Sequence, residues 1–491
     1  MLFVALVCWA FASPVGASPD DDYHMASIWC GSGLQDGLCE SGDSEAERRV
    51  PATLLEASGC YAFQPAASAS CPQKESNVLV ESTRGNFDGG YPPVFYAVMS
   101  TLAGPDVSVS VVLMRMLNST LFVGVSTALF WLLPRNQRGP LLWGALATIV
   151  PLGMFLIASV NPSSWAVMSA ATLWVALLGY FKSETRKRKV AFGAIALLMT
   201  VAGAGARSDS AVYSVLAMAV VLVLAFEPSR KFVLSAILPA ALACAAVFFF
   251  LIAGQSGVVN PDAFAKDDPG VSLISLTFTN LLQLPTLWIG SLGSWGLGWL
   301  DTALPGLVWV TTVAVLSGLV FWGIQKLNWR KALALGMVFG SLVVVPMYIL
   351  VHDRVIVGAG VQPRYVYPLI VMLAGLALLH FDRDSLKLNR TQLSLVAICL
   401  TMANSIALHV NIRRYVTGID GVGFNLDTGI EWWWNMPFSP MFVWMVGTLA
   451  FGAALAGAVR YSVSQGSSEN GKPHAHLPRG VSLTPTARAE H

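Results

Sequence analysis

The chain has 491 residues, 55% of them hydrophobic and 12% charged, and a mean hydropathy of +0.61. A soluble domain carries about 25% charged residues, so a soluble globular protein is excluded. The formal net charge of +2 decides little, because the two signs are segregated along the chain; no nucleic-acid partner is expected.

Apolar runs near the bilayer length of about 20 residues recur over most of the sequence. Backbone polar groups find no water in a bilayer core, so helices are the default spanning structure. Strands of a membrane barrel would alternate apolar and polar residues, and these runs do not. The expected spans are 2–17, 108–133, 140–158, 164–181, 190–206, 211–226, 232–254, 305–324, 332–351, 364–381, 391–409 and 438–459. The expected fold is therefore an all-α polytopic membrane protein of about 12 transmembrane helices, with 1–460 as one transmembrane domain. Span 2–17 is short, lacks basic residues and ends in Val15-Gly16-Ala17, a pattern similar to a signal-peptidase site; it is expected to remain as a first helix.

Alternate connections are basic: Arg135 and Arg138; Lys182, Arg186, Lys187, Arg188 and Lys189; Arg230 and Lys231; Lys326, Arg330 and Lys331; Arg383, Lys387 and Arg390. The positive-inside rule puts these five in the cytoplasm of a multi-pass cell-membrane protein and the other connections outside. Residues 461–491, polar and without apolar period, read as a disordered cytoplasmic tail.

The first outer connection, 19–107, is long and acidic. It holds Cys30, Cys39, Cys60 and Cys71, an even set on the oxidising side that reads as disulfides. Three connectivities are open; local pairing of Cys30 with Cys39 and of Cys60 with Cys71 is the expectation. The loop opens with Asp20-Asp21-Asp22-Tyr23-His24. Adjacent carboxylates repel and raise a pKa, which suits a general base, and on a helix His24 would share a face with Asp20. The same oxygens, Asp20 and Asp21 above all, could hold a divalent cation; the plain alternative is an acidic helix N-terminus. No cofactor is otherwise implied. The loop closes through Gly89-Gly90-Tyr91-Pro92-Pro93 into 93–103, too short to span, which reads as a helix lying at the interface with Tyr96.

Further along, Arg115 lies inside a span, where a charge is a functional candidate. Arg207 and Asp209 bracket a short turn and can pair. The connection 255–304 is long and rich in tryptophan, including Trp299 beside Asp301. Arg354 precedes Gln362-Pro363-Arg364-Tyr365; a guanidinium such as Arg364 suits phosphate, being bidentate and always charged. The middles of the spans are apolar, which speaks against a transporter with broken helices at the midplane.

Several segments resemble, in order, motifs of a family of bacterial membrane proteins known as domain of unknown function 2142. Pro19-Asp20-Asp21-Asp22-Tyr23-His24 is similar to its Pro-Asp-Glu-x-x-His. Pro92-Pro93-Val94-Phe95-Tyr96 resembles its His-Pro-Pro-x-Tyr-Tyr, with Tyr91 in place of the His. Ser159-Val160-Asn161-Pro162, Gly298-Trp299-Leu300-Asp301 and Val361-Gln362-Pro363-Arg364-Tyr365 resemble three more. The resemblance implies a GT-C-like fold and a glycosyltransferase of the cell envelope that takes a polyprenyl-phosphate-linked sugar donor. The acceptor would be an envelope glycan or glycolipid. Asp20 or Asp21 would be the base, with His24 beside it. Arg364, with Arg354 or Arg115, would hold the donor phosphate, and Tyr91, Tyr96, Asn161, Trp299, Asp301 and Tyr365 would line the substrate. The competing expectation is a non-enzymatic transporter, flippase or assembly partner for envelope polysaccharide.

Overall fold

The computed structural model describes residues 1–71, 78–254, 270–379 and 388–470. Ten helices among them are long and apolar enough to cross a membrane. Two shorter apolar helices, Leu2–Phe11 and Pro363–Ala377, accompany them, as does Arg186–Ala204, whose first turn is basic. The spans begin at polar caps that satisfy otherwise orphaned N–H groups. Asp106 accepts from Val109 N, Ser229 from Phe232 N, Asn328 from Lys331 N, and Asn389 forms a capping box with Gln392.

The middle of the bundle is set by two spans, Gln137–Ile157 and Ser163–Lys182, each 89% buried. Arg230–Ile252 and Gly306–Gly323, each 22% buried, stand at the rim with most of their surface free for lipid. Helices Arg135–Thr148 and Pro363–Ala377 cross where two glycines meet: a Cβ on Gly144 would lie 2.7 Å from Gly375 Cα, so the crossing tolerates no side chain.

Four expectations change. The first span is helical only over Leu2–Phe11, and residues 12–19 continue it without regular structure. The span expected over 140–158 is broken, and so is a helix inside the connection 255–304, near the same place. Gln137–Ile157 opens into a wide turn at Ile149–Gly153, and Leu273–Ile289 does so at Gly290–Ser294. The breaks pack together: a Cβ on Gly293 would lie 2.9 Å from the Pro151 ring. The connection 255–304, expected without a span, contains the helix Leu273–Ile289; residues 255–269 of that connection lie outside the described residues. The helix's contacts begin and end at the same end of the bundle. Asn280 binds the backbone of Val355 and Val357 in the connection before Arg364, and Trp288 reaches Leu342 O deep beside Trp329–His352. The chain then returns, with Trp299 bonding Gly16 O. The last helix, Pro440–Asn470, runs ten residues into the expected tail; 471–491 lie outside the described residues.

The long first loop folds on itself. Strands β1 (Glu40–Ser41), β2 (Arg48–Pro51) and β3 (Leu79–Ser82) form a small antiparallel sheet, and short helices Asp21–Trp29 and Val94–Ser100 pack beneath it. The disulfides are Cys30–Cys39 and Cys60–Cys71, the local pairing.

Candidate functional site

Asp20 adopts a left-handed backbone (φ 59°) just before helix Asp21–Trp29. This turn sends three consecutive carboxylates in three directions. Asp20 points to the end of helix Pro363–Ala377, where Arg364 Nη2 donates to its Oδ2 at 2.5 Å, and Arg84 Nη2 lies 3.5 Å from its Oδ1. Asp22 is held by Arg84 through Nε and Nη2. Asp21 turns inward and is fully buried; its Oδ2 accepts from Ser18 N at 3.0 Å, and its Oδ1 has no partner. The acidic run therefore does not converge on a cation site, and no cluster of three or more metal-ligating groups occurs among the described residues.

The environments separate the two candidate bases. Burial alone would raise the Asp20 carboxyl, but the Arg364 guanidinium, with Arg84, outweighs it and holds the carboxyl below its ordinary value. Burial dominates at Asp21 and pushes it up to about 7 against the pull of Arg115. Asp20 is partly exposed and ionised, so of the two it is the carboxylate open to solvent. His24 is buried; its Nδ1 pairs with Tyr96 Oη at 2.9 Å, and Tyr23, Tyr91 and Tyr96 surround the ring. Burial drives it down to about 3, so this histidine stays neutral.

Arg364 is 5% exposed. It also donates to Pro19 O at 3.1 Å and Tyr365 Oη at 3.2 Å, while its Nε is buried without a partner. Asn161 fixes the same segment from the opposite side by donating to Pro19 O at 2.8 Å. Arg207 pairs with Asp209 as the sequence suggested, and in addition faces the Tyr365 ring at 4.9 Å, with Arg364 on that ring at 5.2 Å. The site thus holds a second guanidinium that the sequence placed only in a turn, and a third in Arg84. No motif signalled either, since both are recruited by folding. A small apolar pocket of about 20 Å³ lies beside Arg364 and Pro19, among Leu152, Phe155, Leu156 and Leu297, where both broken helices meet.

The other candidates stand elsewhere. Arg115 is buried on the first-helix segment, donating to Ala10, Ser13 and Pro14 carbonyls at 2.6–2.7 Å. Arg354 is exposed, with a left-handed backbone, in the connection before Arg364. Asp301 pairs with Arg414 at 2.7 Å and accepts from Phe63 N, and Trp299 binds Gly16 O; both pin the loop to the bundle. Tyr91 joins the aromatic layer around His24.

Among curated proteins, none matches the sequence. Among solved structures, the chain is similar to ArnT from Cupriavidus metallidurans bound to undecaprenyl phosphate: 15% identity, covering 95% of this chain and 77% of that one, with a TM-score of 0.42. The model of the predicted membrane protein family DUF2142 matches residues 3–373, and the chain belongs to that family.

Proposed function

We propose that the protein is a cell-envelope glycosyltransferase working at the outer face of the membrane. Its donor is a sugar linked to polyprenyl phosphate, and its acceptor is an envelope glycan or glycolipid. The observation that carries the reading is the direct pairing of Asp20 with Arg364, 344 residues apart, beside a small apolar pocket. Arg364 suits a phosphate, and Asp20 suits an acceptor hydroxyl.

The ion pair itself supplies an activation step. A donor phosphate reaching Arg364 takes the place of the Asp20 carboxylate on the guanidinium. Asp20 is then released beside a neutralised arginine, and the effect that held its proton affinity down fades. Asp20 accepts the acceptor hydroxyl proton as the acceptor oxygen bonds to the anomeric carbon. The bond from that carbon to the phosphate oxygen breaks, and the charge left on polyprenyl phosphate is met by Arg364, with Arg207 close by. Asn161 acts as a positioning residue through Pro19.

The test is release of polyprenyl phosphate by purified protein in nanodiscs, given a lipid extract of the source cells containing polyprenyl-phosphate sugars. Loss of a general base costs about 10²–10⁴-fold, so Asp20→Asn should fall in that range with folding intact. Turnover by Asp20→Asn equal to the native protein sinks the base assignment. Lipid translocation without sugar transfer would instead favour a flippase, the reading that the paired broken helices also suit.

A further inference from the structure

At the other end of helix Asp21–Trp29 from Asp20 lies a separate cavity of about 250 Å³. Its walls include Ser27, Arg48, Asn86, Phe87 and Tyr96, with the Cys30–Cys39 disulfide along one edge. It meets the Asp20 site through a shared layer: Tyr96 faces the cavity, and its hydroxyl holds His24.

The walls are built for a polar ring. Phe87 folds back over Gly85 so closely that Gly85 has no room for a Cβ. Arg48 covers the Phe87 ring at 5.6 Å. Its Nη1 is spent on the Glu45 and Glu47 carbonyls, while Nε and Nη2 make no hydrogen bond among the described residues. A guanidinium held over an aromatic ring, with N–H donors left over, matches the polar edges of a sugar, and the rings beside it match its apolar face. A polar track joins the cavity to the site. Arg84, with half its side chain exposed, reaches Asp20, and two residues later Asn86 lines the cavity and accepts from Tyr23 Oη. From Asp20 to Ser27 is seven residues of helix, about 10 Å at 1.5 Å per residue, more than one pyranose ring spans.

We infer that this cavity is an acceptor subsite and that the acceptor is a glycan of at least two sugars. The terminal hydroxyl lies at Asp20, the chain follows Arg84, and the preceding sugar rests on Phe87 and Arg48. The inference rests on the glycosyltransferase reading and deepens it.

The experiment uses full-length protein carrying Leu34→Cys, at the cavity rim, with the three unpaired cysteines, Cys8, Cys244 and Cys399, replaced by Ser and both disulfides intact. Maleimide labelling of position 34 is followed with two probes: envelope glycan of the source cells cut to oligosaccharides, and the same glycan hydrolysed to monosaccharides. Oligosaccharides should slow labelling at least several-fold and monosaccharides should not. Arg48→Gln and Phe87→Ala should each remove the protection, Arg48→Gln guarding against a folding defect in the other. Asp20→Asn should keep the protection while losing transfer. Labelling unaffected by either probe, or slowed equally by both, overturns the subsite even where Asp20→Asn loses transfer. Protection with full transfer by Asp20→Asn would leave the subsite standing and remove the catalytic reading instead.

Discussion

At the scale of single residues, three adjacent aspartates have three different fates, and one backbone angle decides them. Left-handed φ at Asp20 turns its side chain to Arg364 while Asp21 enters the interior. Asp21→Asn should therefore keep transfer within about tenfold of the native protein, whereas Asp20→Asn should lose at least about a hundredfold; the nanodisc assay separates them, and the reverse order would exchange their roles. The two also bear on stability with opposite sign. Asp21 is raised from 3.8 to about 7, so between about pH 4 and 7 the folded chain keeps a proton that the unfolded chain has lost. Stability should fall as pH rises through that window and level off above it. Asp20, held low, contributes the reverse: its share is present above the ordinary carboxylate value and is lost as pH falls below it. Melting midpoints in detergent from pH 4 to 8 should show the decline, and Asp21→Asn should flatten it. A native curve flat across the window would contradict the buried carboxyl. The sequence already marked Asp20, His24 and Arg364, because a carboxylate cluster and a terminal arginine are unusual at a bilayer edge. It left Asp20 and Asp21 undivided, since hydrogen-bonding direction depends on a backbone turn that no residue type announces.

At the scale of elements, the first helix shows a buried charge doing a backbone's work. Helix Leu2–Phe11 stops short, and the segment after it must cross apolar surroundings with its carbonyls unpaired. Arg115 answers with hydrogen bonds to Ala10, Ser13 and Pro14, and Asn411 donates to Ala12 O at 3.0 Å. An unsatisfied buried group costs about 1–3 kcal/mol, so Arg115→Leu should lower the melting midpoint and the membrane abundance sharply. Arg364→Lys should spare both and impair only transfer, roughly tenfold or more, because an ammonium lacks the bidentate fork. Equal abundance for Arg115→Leu and the native chain would remove the structural role. Intramembrane charge was legible here, but its purpose was not, because the need arises from a helix that ends early. The helix Leu273–Ile289 escaped the sequence reading for a related reason. Asn280, Gln283 and Pro285 dilute its window to a mean hydropathy of 1.2, the lowest of the ten, and Asn280 is there to hold the Val355–Val357 backbone.

At the scale of the whole molecule, a segment Leu273–Ser294 that enters and leaves at one end of the bundle reconciles span count with charge. An added complete crossing between 254 and 305 would reverse every later connection and put the basic stretch 326–331 opposite 182–189. The contacts avoid this. Gly254 N bonds Gly89 O, Asn280 holds the connection before Arg364, and the returning strand reaches Gly16 and Phe63, all at the end of the bundle where the long loop sits. The opposite end collects Lys331, which donates to the Gly323 and Ala377 carbonyls, Lys189 on Ser235 and Arg138 on Tyr461. Charge alternation and packing thus divide the molecule along the same plane, one end basic and the other carrying the carboxylates and the small apolar pocket. Single cysteines at 271 and 303 should therefore react with an impermeant maleimide from the same side as probes at 41–47, the outer side. Probes at 183–188 and 327–330 should react only after the membrane is opened. Reaction of 271 and 303 from opposite sides would make Leu273–Ser294 a full crossing. Reaction of 183–188 in intact cells would turn the molecule over and place the Asp20–Arg364 pair in the cytoplasm, away from an envelope acceptor.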